Sequence, residues 1–260
     1  MTMQLSQNLN GQFIGFETGP RGVEPDRPTL VLIHGSGGSR LSWRLQLPAL
    51  DADINVVALE LPGHGQTPGP FLTSVADCAA WVAQVLSAWK LPLAPVLAGH
   101  SLGGAVAIEA GLTRPELLSG LTLVGTGAHL PVNPALIDGL TQNFQGTLPL
   151  IMKWAFAKTV DPKLVEDAVK LMSQLDPALL INDFKACDRF DRRADLGRLK
   201  LPVLIVCGRQ EKMTPPALSE ELHAHIKGSR LEFIDNAGHE VMEEQPEAFN
   251  RVVADFVTSL

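Results

Sequence analysis

Short apolar runs, many of them β-branched, alternate along this chain with longer stretches in which apolar residues recur at helical spacing. The runs Gln12–Glu17, Thr29–Ile33, Asn55–Leu59, Pro95–Ala98, Leu121–Val124, Val203–Cys207 and Arg230–Ile234 read as strands, most of them closed by Gly, Pro or a polar turn. Between them, Ser74–Trp89, Leu102–Leu112 and Glu243–Val257 read as helices. Such alternation is the sequence sign of an α/β fold with a mostly parallel central sheet covered by helices on both faces.

One stretch interrupts the alternation. From about His129 to Asp195 no strand is predicted, only helical segments punctuated by prolines at 131, 134, 149, 162 and 177. The chain therefore divides into a core, 1–128 and 196–260, and a helical insertion, 129–195. Phe144, Leu148, Ile151, Met152, Trp154, Phe156, Leu171 and Met172 give the insertion more apolar surface than a solvated linker needs. Some of these residues are expected to face a pocket, although for any one of them simple packing is the commoner role.

Composition narrows the function. Of 260 residues, 45% are hydrophobic and 19% charged, enough to bury one large core in a single domain of this length. A net charge of −7 without any Lys/Arg run argues against a nucleic-acid partner and against an anionic lipid surface. No stretch approaches the roughly 18 apolar residues of a membrane span. The N-terminal segment has neither a basic nor an apolar signal region, so a cytoplasmic location is expected. Three scattered cysteines, Cys78, Cys187 and Cys207, suggest neither a disulfide framework nor a zinc site. A small-molecule substrate is the expected partner, with no metal and no organic cofactor.

The chemistry centres on Gly99-His100-Ser101-Leu102-Gly103, a G-x-S-x-G pattern set directly between a strand and a helix. A serine on so sharp a turn is held in a strained backbone conformation at the C-terminal edge of the sheet, and small neighbours let strand and helix approach. The following helix aims its positive end and free N–H groups at the same spot. Ser101 is the predicted nucleophile; the bland alternative is a helix N-cap. Two N–H donors are needed for the oxyanion of an acyl-transfer intermediate. Leu102 supplies the first, and Ser36, in the loop His34-Gly35-Ser36-Gly37-Gly38 after a strand, is expected to supply the second. That loop has neither the spacing nor the Lys of a phosphate-binding loop.

A serine needs a histidine to take its proton and a carboxylate to fix that histidine's tautomer. His239 lies between the last predicted strand and the final helix, at the sheet edge where Ser101 lies. His34 is expected to brace its loop, His64 to sit in the tight turn Leu61-Pro62-Gly63-His64-Gly65, and His223 and His225 to lie on a solvated helix. His100 adjoins the nucleophile and cannot fold back on it. Glu211 is the only carboxylate in the loop Gly208–Pro215 and gives the chain order serine, acid, histidine. Asp235 competes with it but stands only four residues from His239, where it is expected to brace the loop.

Taken together, HGSGG at His34, LPGHGQT at Leu61, GHSLGG at Gly99, GRQEKMTPP at Gly208 and NAGHE at Asn236 resemble the α/β-hydrolase superfamily, from about Gly11 to the C-terminus. The family usually carries Asp where Glu211 stands, and often Asp where Glu60 stands. In the family the insertion between the sixth and seventh strands is a helical cap over the active site, a role the resemblance assigns to 129–195. A serine at 101 sets the chain apart from the dehalogenase and epoxide hydrolase branches, which use Asp there. Carbon–carbon bond hydrolases typically have Asn before the serine and Trp after the late Gly-His, where this chain has His100 and Glu240. The resemblance implies hydrolysis of carboxylic esters, with small to medium, mostly apolar acyl groups, through an acyl-enzyme. The alternatives are a carbon–carbon hydrolase, thioesterase or lyase on the same three residues, or a non-catalytic ligand-binding member of the fold. The sequence leaves the oligomeric state open.

Overall fold

A computed structural model of the chain describes residues 3–260. Among the described residues nine strands follow one another as β1 (Asn8–Leu9), β2 (Gln12–Phe13), β3 (Phe16–Thr18), β4 (Thr29–Ile33), β5 (Asn55–Leu59), β6 (Val96–His100), β7 (Gly120–Val124), β8 (Val203–Gly208) and β9 (Arg230–Ile234). Apart from the β1–β2 hairpin they form one seven-stranded sheet in the order β3-β5-β4-β6-β7-β8-β9. Only β3 runs antiparallel to its neighbour. The α/β class with a mostly parallel sheet is as expected.

The helices are α1 (Gln46–Leu50), α2 (Val75–Trp89), α3 (Leu102–Thr113), α4 (Pro134–Gln142), α5 (Phe144–Ala155), α6 (Pro162–Met172), α7 (Pro177–Asp188), α8 (Pro216–His225), α9 (Val241–Glu244) and α10 (Pro246–Thr258). Strand residues are buried on both faces because alternate side chains point opposite ways. Val31, Ile33, Val57 and Leu97 join the cluster formed with α2, α3 and α8. Leu30, Leu32, Val56 and Ala98 join the one formed with α1 and α10.

Three elements differ from the sequence expectation by more than a single terminal residue. The predicted strand Gln12–Glu17 is two strands, β2 and β3, parted where the Gly15 N–H leaves the ladder to donate to Thr67 Oγ1 at 2.8 Å. The strand predicted at Pro95–Ala98 runs on through Gly99 and His100. Helix Glu243–Val257 is instead α9 and α10, separated at Gln245 because the residue before Pro246 is pushed out of helical geometry, to φ −136°.

Helices α4–α7 all fall between β7 and β8 and share an apolar cluster of their own, built on Leu140, Leu148, Ile151, Met152, Phe156, Leu180 and Phe184. Among the described residues no helix is long and apolar enough to cross a membrane.

The chain leaves β4 toward β5 on one side and returns to β6 on the other. The strand order therefore reverses between β4 and β6, and a crevice opens at their C-terminal ends, where open α/β sheets bind ligands. The loops bearing Ser36 and Ser101 leave from these two strands.

Candidate active site

Ser101 follows β6 with φ 53° and ψ −115°, a conformation no side chain adopts without strain, of order 1–3 kcal/mol. Its surroundings hold it there. The Ser101 N–H donates to Val124 O at 2.9 Å, and its carbonyl accepts from Thr126 Oγ1 at 2.8 Å and from Gly104 N at 2.9 Å. Gly99 and Gly103 are needed for close approach: a Cβ on Gly99 would land on the Gly103 carbonyl, and one on Gly103 would meet the carbonyls of Ile33 and His34. The Ser101 side chain makes no capping hydrogen bond to α3, so the bland reading as an N-cap does not describe its hydroxyl.

The loop after β4 presses onto this turn, to the point that a Cβ on Gly35 would sit 2.9 Å from His100 Nδ1 and 3.3 Å from Ser101 Cβ. Among the described residues, the Ser36 N–H takes no protein acceptor. Leu102 opens α3, where the first N–H groups have no partner inside the helix. His34, fully buried, donates from Nδ1 to Gly35 O at 2.8 Å and accepts at Nε2 from Leu61 N at 3.2 Å. Burial and the neighbouring His64 push its pKa down to about 3, so it is neutral. It joins the β4 loop to the turn after β5, the bracing role expected of it.

His239 and Glu211 meet at the ends of β9 and β8, with Nδ1 to Oε2 at 2.6 Å and both residues buried. Glu211 Oε1 accepts from Met213 N at 2.7 Å and Thr214 N at 3.2 Å, and Oε2 also accepts from Thr214 Oγ1 at 3.1 Å. Burial disfavours charge on both, yet the opposite charge and these hydrogen bonds prevail. The Glu211 carboxyl is held below the usual carboxylate range and His239 above the usual histidine value. Asp235 instead pairs with Arg209 at 2.6 Å on the surface, its side chain 77% exposed, and faces solvent rather than the imidazole.

Ser36, Ser101 and Met213 border two cavities, one of about 600 Å³ and one of about 140 Å³. His239 lines the larger, together with Ile151, Met152, Phe156, Leu171 and Met172 of the insertion. Trp154 lines the smaller, and Leu148 is packed inside the insertion. Among the described residues, the one grouping of three metal-ligand side chains is His100, His239 and Glu240, with ligand atoms within 4.8 Å of one another. His239 Nδ1 is taken by Glu211, and His100 Nε2 donates to His239 O at 3.0 Å.

Several contacts around the site were not foreseen from the sequence. Asp183, on α7, accepts through Oδ2 from Gly37 N at 2.8 Å and from His64 Nε2 at 2.9 Å. His64 thus reaches the insertion as well as serving its turn. Glu60, wholly buried, holds that turn by accepting from Gln66 N and the Arg40 guanidinium, both at 2.7 Å. Glu244 accepts from Gly238 N at 2.8 Å and Ala157 N at 2.7 Å, and His239 N donates to Ala155 O at 2.6 Å. The histidine loop is thereby fastened to the end of α5. Asp183 and Glu244 have no local sequence signal, since their partners are defined only by the fold. The three cysteines are buried and free, and Cys187 Sγ lies 3.8 Å from Ser36 Oγ.

Residues 30–252 match the Alpha/beta hydrolase family. The chain belongs to that family. Among its relatives, a pimeloyl-[acyl-carrier protein] methyl ester esterase of Neisseria meningitidis is 32% identical, over 88% of this chain and 93% of that protein. An uncharacterised hydrolase of Bacillus subtilis is 30% identical, over 90% of this chain and 91% of its own length. A solved structure described as a thermophilic esterase superposes with a TM-score of 0.84 at 32% identity, covering 97% of this α/β hydrolase and 96% of the other chain.

Proposed function

We propose that this α/β hydrolase cleaves carboxylic esters through an acyl-enzyme, with Ser101 as nucleophile, His239 as general base and acid, and Glu211 as the carboxylate that orients His239. That the chain is an ester-acting hydrolase is the coarser statement carried by its family and by the esterases among its relatives. The observation that best supports the finer reading is the 2.6 Å hydrogen bond between His239 Nδ1 and Glu211, on a histidine that shares the larger cavity with the strained Ser101.

With Nδ1–H held by Glu211, Nε2 carries the lone pair and takes the Ser101 proton as Oγ bonds to the acyl carbon. The carbonyl oxygen, now an oxyanion, is met by the Ser36 and Leu102 N–H groups, each worth about 3–4 kcal/mol of barrier. Collapse breaks the bond to the alcohol oxygen, which leaves with the proton from His239. Water then adds to the acyl carbon, giving its proton to His239, and the acid departs as Ser101 recovers its own. Residues 129–195 act as a cap whose apolar residues, Met152 and Phe156 among them, keep bulk water from the intermediate. The favoured substrates are small to medium, mostly apolar esters, handled without a cofactor in the cytoplasm.

Labelling with a fluorophosphonate probe, read by intact mass, tests this assignment. One adduct on wild type and none on Ser101→Ala is expected, together with p-nitrophenyl acetate hydrolysis lost in the same variant. Equal labelling and turnover in the two proteins would remove Ser101 as nucleophile.

A further inference from the structure

Two cavities meet at Ser101, and they are not equivalent. The larger, of about 600 Å³, is lined by His239; the smaller, of about 140 Å³, reaches Ser36 and Ser101 but not His239. In acylation the alcohol oxygen leaves with a proton from His239, so it must lie within hydrogen-bond reach of that imidazole. The carbon chain on that oxygen then continues into the space His239 lines. The other substituent of the carbonyl carbon, the acyl chain, is left with the smaller arm, which Ser36 and Ser101 also border.

Size decides what fits. A cavity of about 600 Å³ is in the range that holds a drug-sized molecule. One near 140 Å³ is close to the volume that encloses a single benzene. Leu130, Val132, Leu136 and Trp154 make the smaller arm largely apolar. Its charged residue, Lys212, is tethered by donating one N–H to Phe156 O at 3.0 Å. The larger arm includes Asp167 and Glu243, and its Arg44 is paired with Glu243, which leaves one carboxylate unbalanced within the lining to repel an anionic alcohol.

Resting on the serine-esterase reading, we infer that the enzyme is directional in its choice of ester: a short, apolar acyl group enters the arm of Trp154 and Leu136, and the bulk of the substrate is a neutral alcohol in the arm of Met152 and Leu171. Substrates are acetyl-to-butanoyl esters of large alcohols, and not methyl esters of long acids. After Ser101 Oγ has bonded to the acyl carbon and the alcohol has left through the large arm, the small arm holds the acyl group until water releases it as the acid.

Isomeric esters with mirrored halves test the assignment at constant composition: octyl acetate against methyl nonanoate, and benzyl acetate against methyl phenylacetate. The acetates are expected to exceed their isomers in kcat/KM by about tenfold or more, the discrimination a misfitted hydrocarbon group produces. Trp154→Ala, at a half-exposed position whose truncation opens no core cavity, should raise kcat/KM for methyl nonanoate relative to octyl acetate and so narrow the ratio between the two isomers. Leu171→Ala, also half-exposed, should not alter acyl-length preference. Methyl esters turned over as fast as the acetates or faster, in a reaction lost in Ser101→Ala, would overturn the inference and spare the esterase reading. Hydrolysis of all four esters that survives Ser101→Ala, or hydrolysis of none, would overturn both.

Discussion

Replacing Glu211 by Gln changes one atom and tests the whole arrangement of the acid loop. Oε1 of Glu211 is fixed by two backbone donors, Met213 N and Thr214 N, whereas Oε2 faces His239 Nδ1. An amide placed there has two choices. With its oxygen on the two N–H groups it turns its NH2 toward Nδ1, which must then accept, so the ring proton moves to Nε2 and the base faces Ser101 already protonated. With its oxygen toward Nδ1–H it keeps the useful tautomer but sets its NH2 against two buried N–H donors, at about 1–3 kcal/mol for each one left unsatisfied. The useful state is therefore disfavoured by about 2–6 kcal/mol, a factor between about thirty and about 3 × 10⁴ in rate. The assay is kcat on p-nitrophenyl acetate across pH, beside the rate of fluorophosphonate labelling, with circular dichroism to establish folding. Because Glu211 raises the His239 pKa, its loss should also move the acid limb of the profile to lower pH while the plateau falls. Glu211→Asp keeps the charge and should retain more activity than Glu211→Gln. A folded Glu211→Gln protein within about tenfold of wild-type kcat would refute the tautomer argument.

Asp183→Ala leaves the Gly37 N–H and His64 Nε2 without their shared acceptor; thermal or urea unfolding should show a loss of about 2–4 kcal/mol, and kcat should fall as the oxyanion loop loosens, with Asp183→Asn recovering part of both. An unchanged midpoint and kcat would mean that the insertion does not hold that loop. Glu240, pushed from 4.5 up to about 7 by burial and by Glu243, Glu244 and Glu211, keeps a proton in the fold that the unfolded chain has released. Stability should therefore fall as pH rises from 4.5 through about 7, and Glu240→Gln should flatten the decline in melting temperature across that range. Gly99→Ala would drive a methyl into the Gly103 carbonyl and should cost about 3 kcal/mol or more in urea unfolding; a stable, active variant would show that strand and helix can part there.

The site was legible in the sequence wherever its chemistry is carried by short loops at strand ends. Ser101, His239 and Glu211 each follow an apolar run and sit among glycines or turn residues, a local pattern that places them at one sheet edge once the strands are parallel. The same patterning identified all the longer strands, because a strand buried on both faces must be apolar throughout. It failed at the joints. Gln12–Glu17 has continuous strand character, and only Thr67, 52 residues on from Gly15, diverts its backbone. The break before Pro246 was marked by the proline itself, and the apolar periodicity of the residues on either side of it masked that signal.

Sequence by itself determined the α/β class, the parallel sheet and the residue types of the candidate site, since these rest on periodicity and on turn chemistry within a few residues. Tertiary structure decided everything that depends on pairs distant along the chain. It turned Glu211 inward to His239 and Asp235 outward to Arg209. It brought Asp183 across 146 residues to Gly37, and it divided the space around Ser101 into a large arm and a small one. Hydrogen bonds and cavity shapes of this kind are set by where packed elements meet, and no local pattern of residues encodes that meeting.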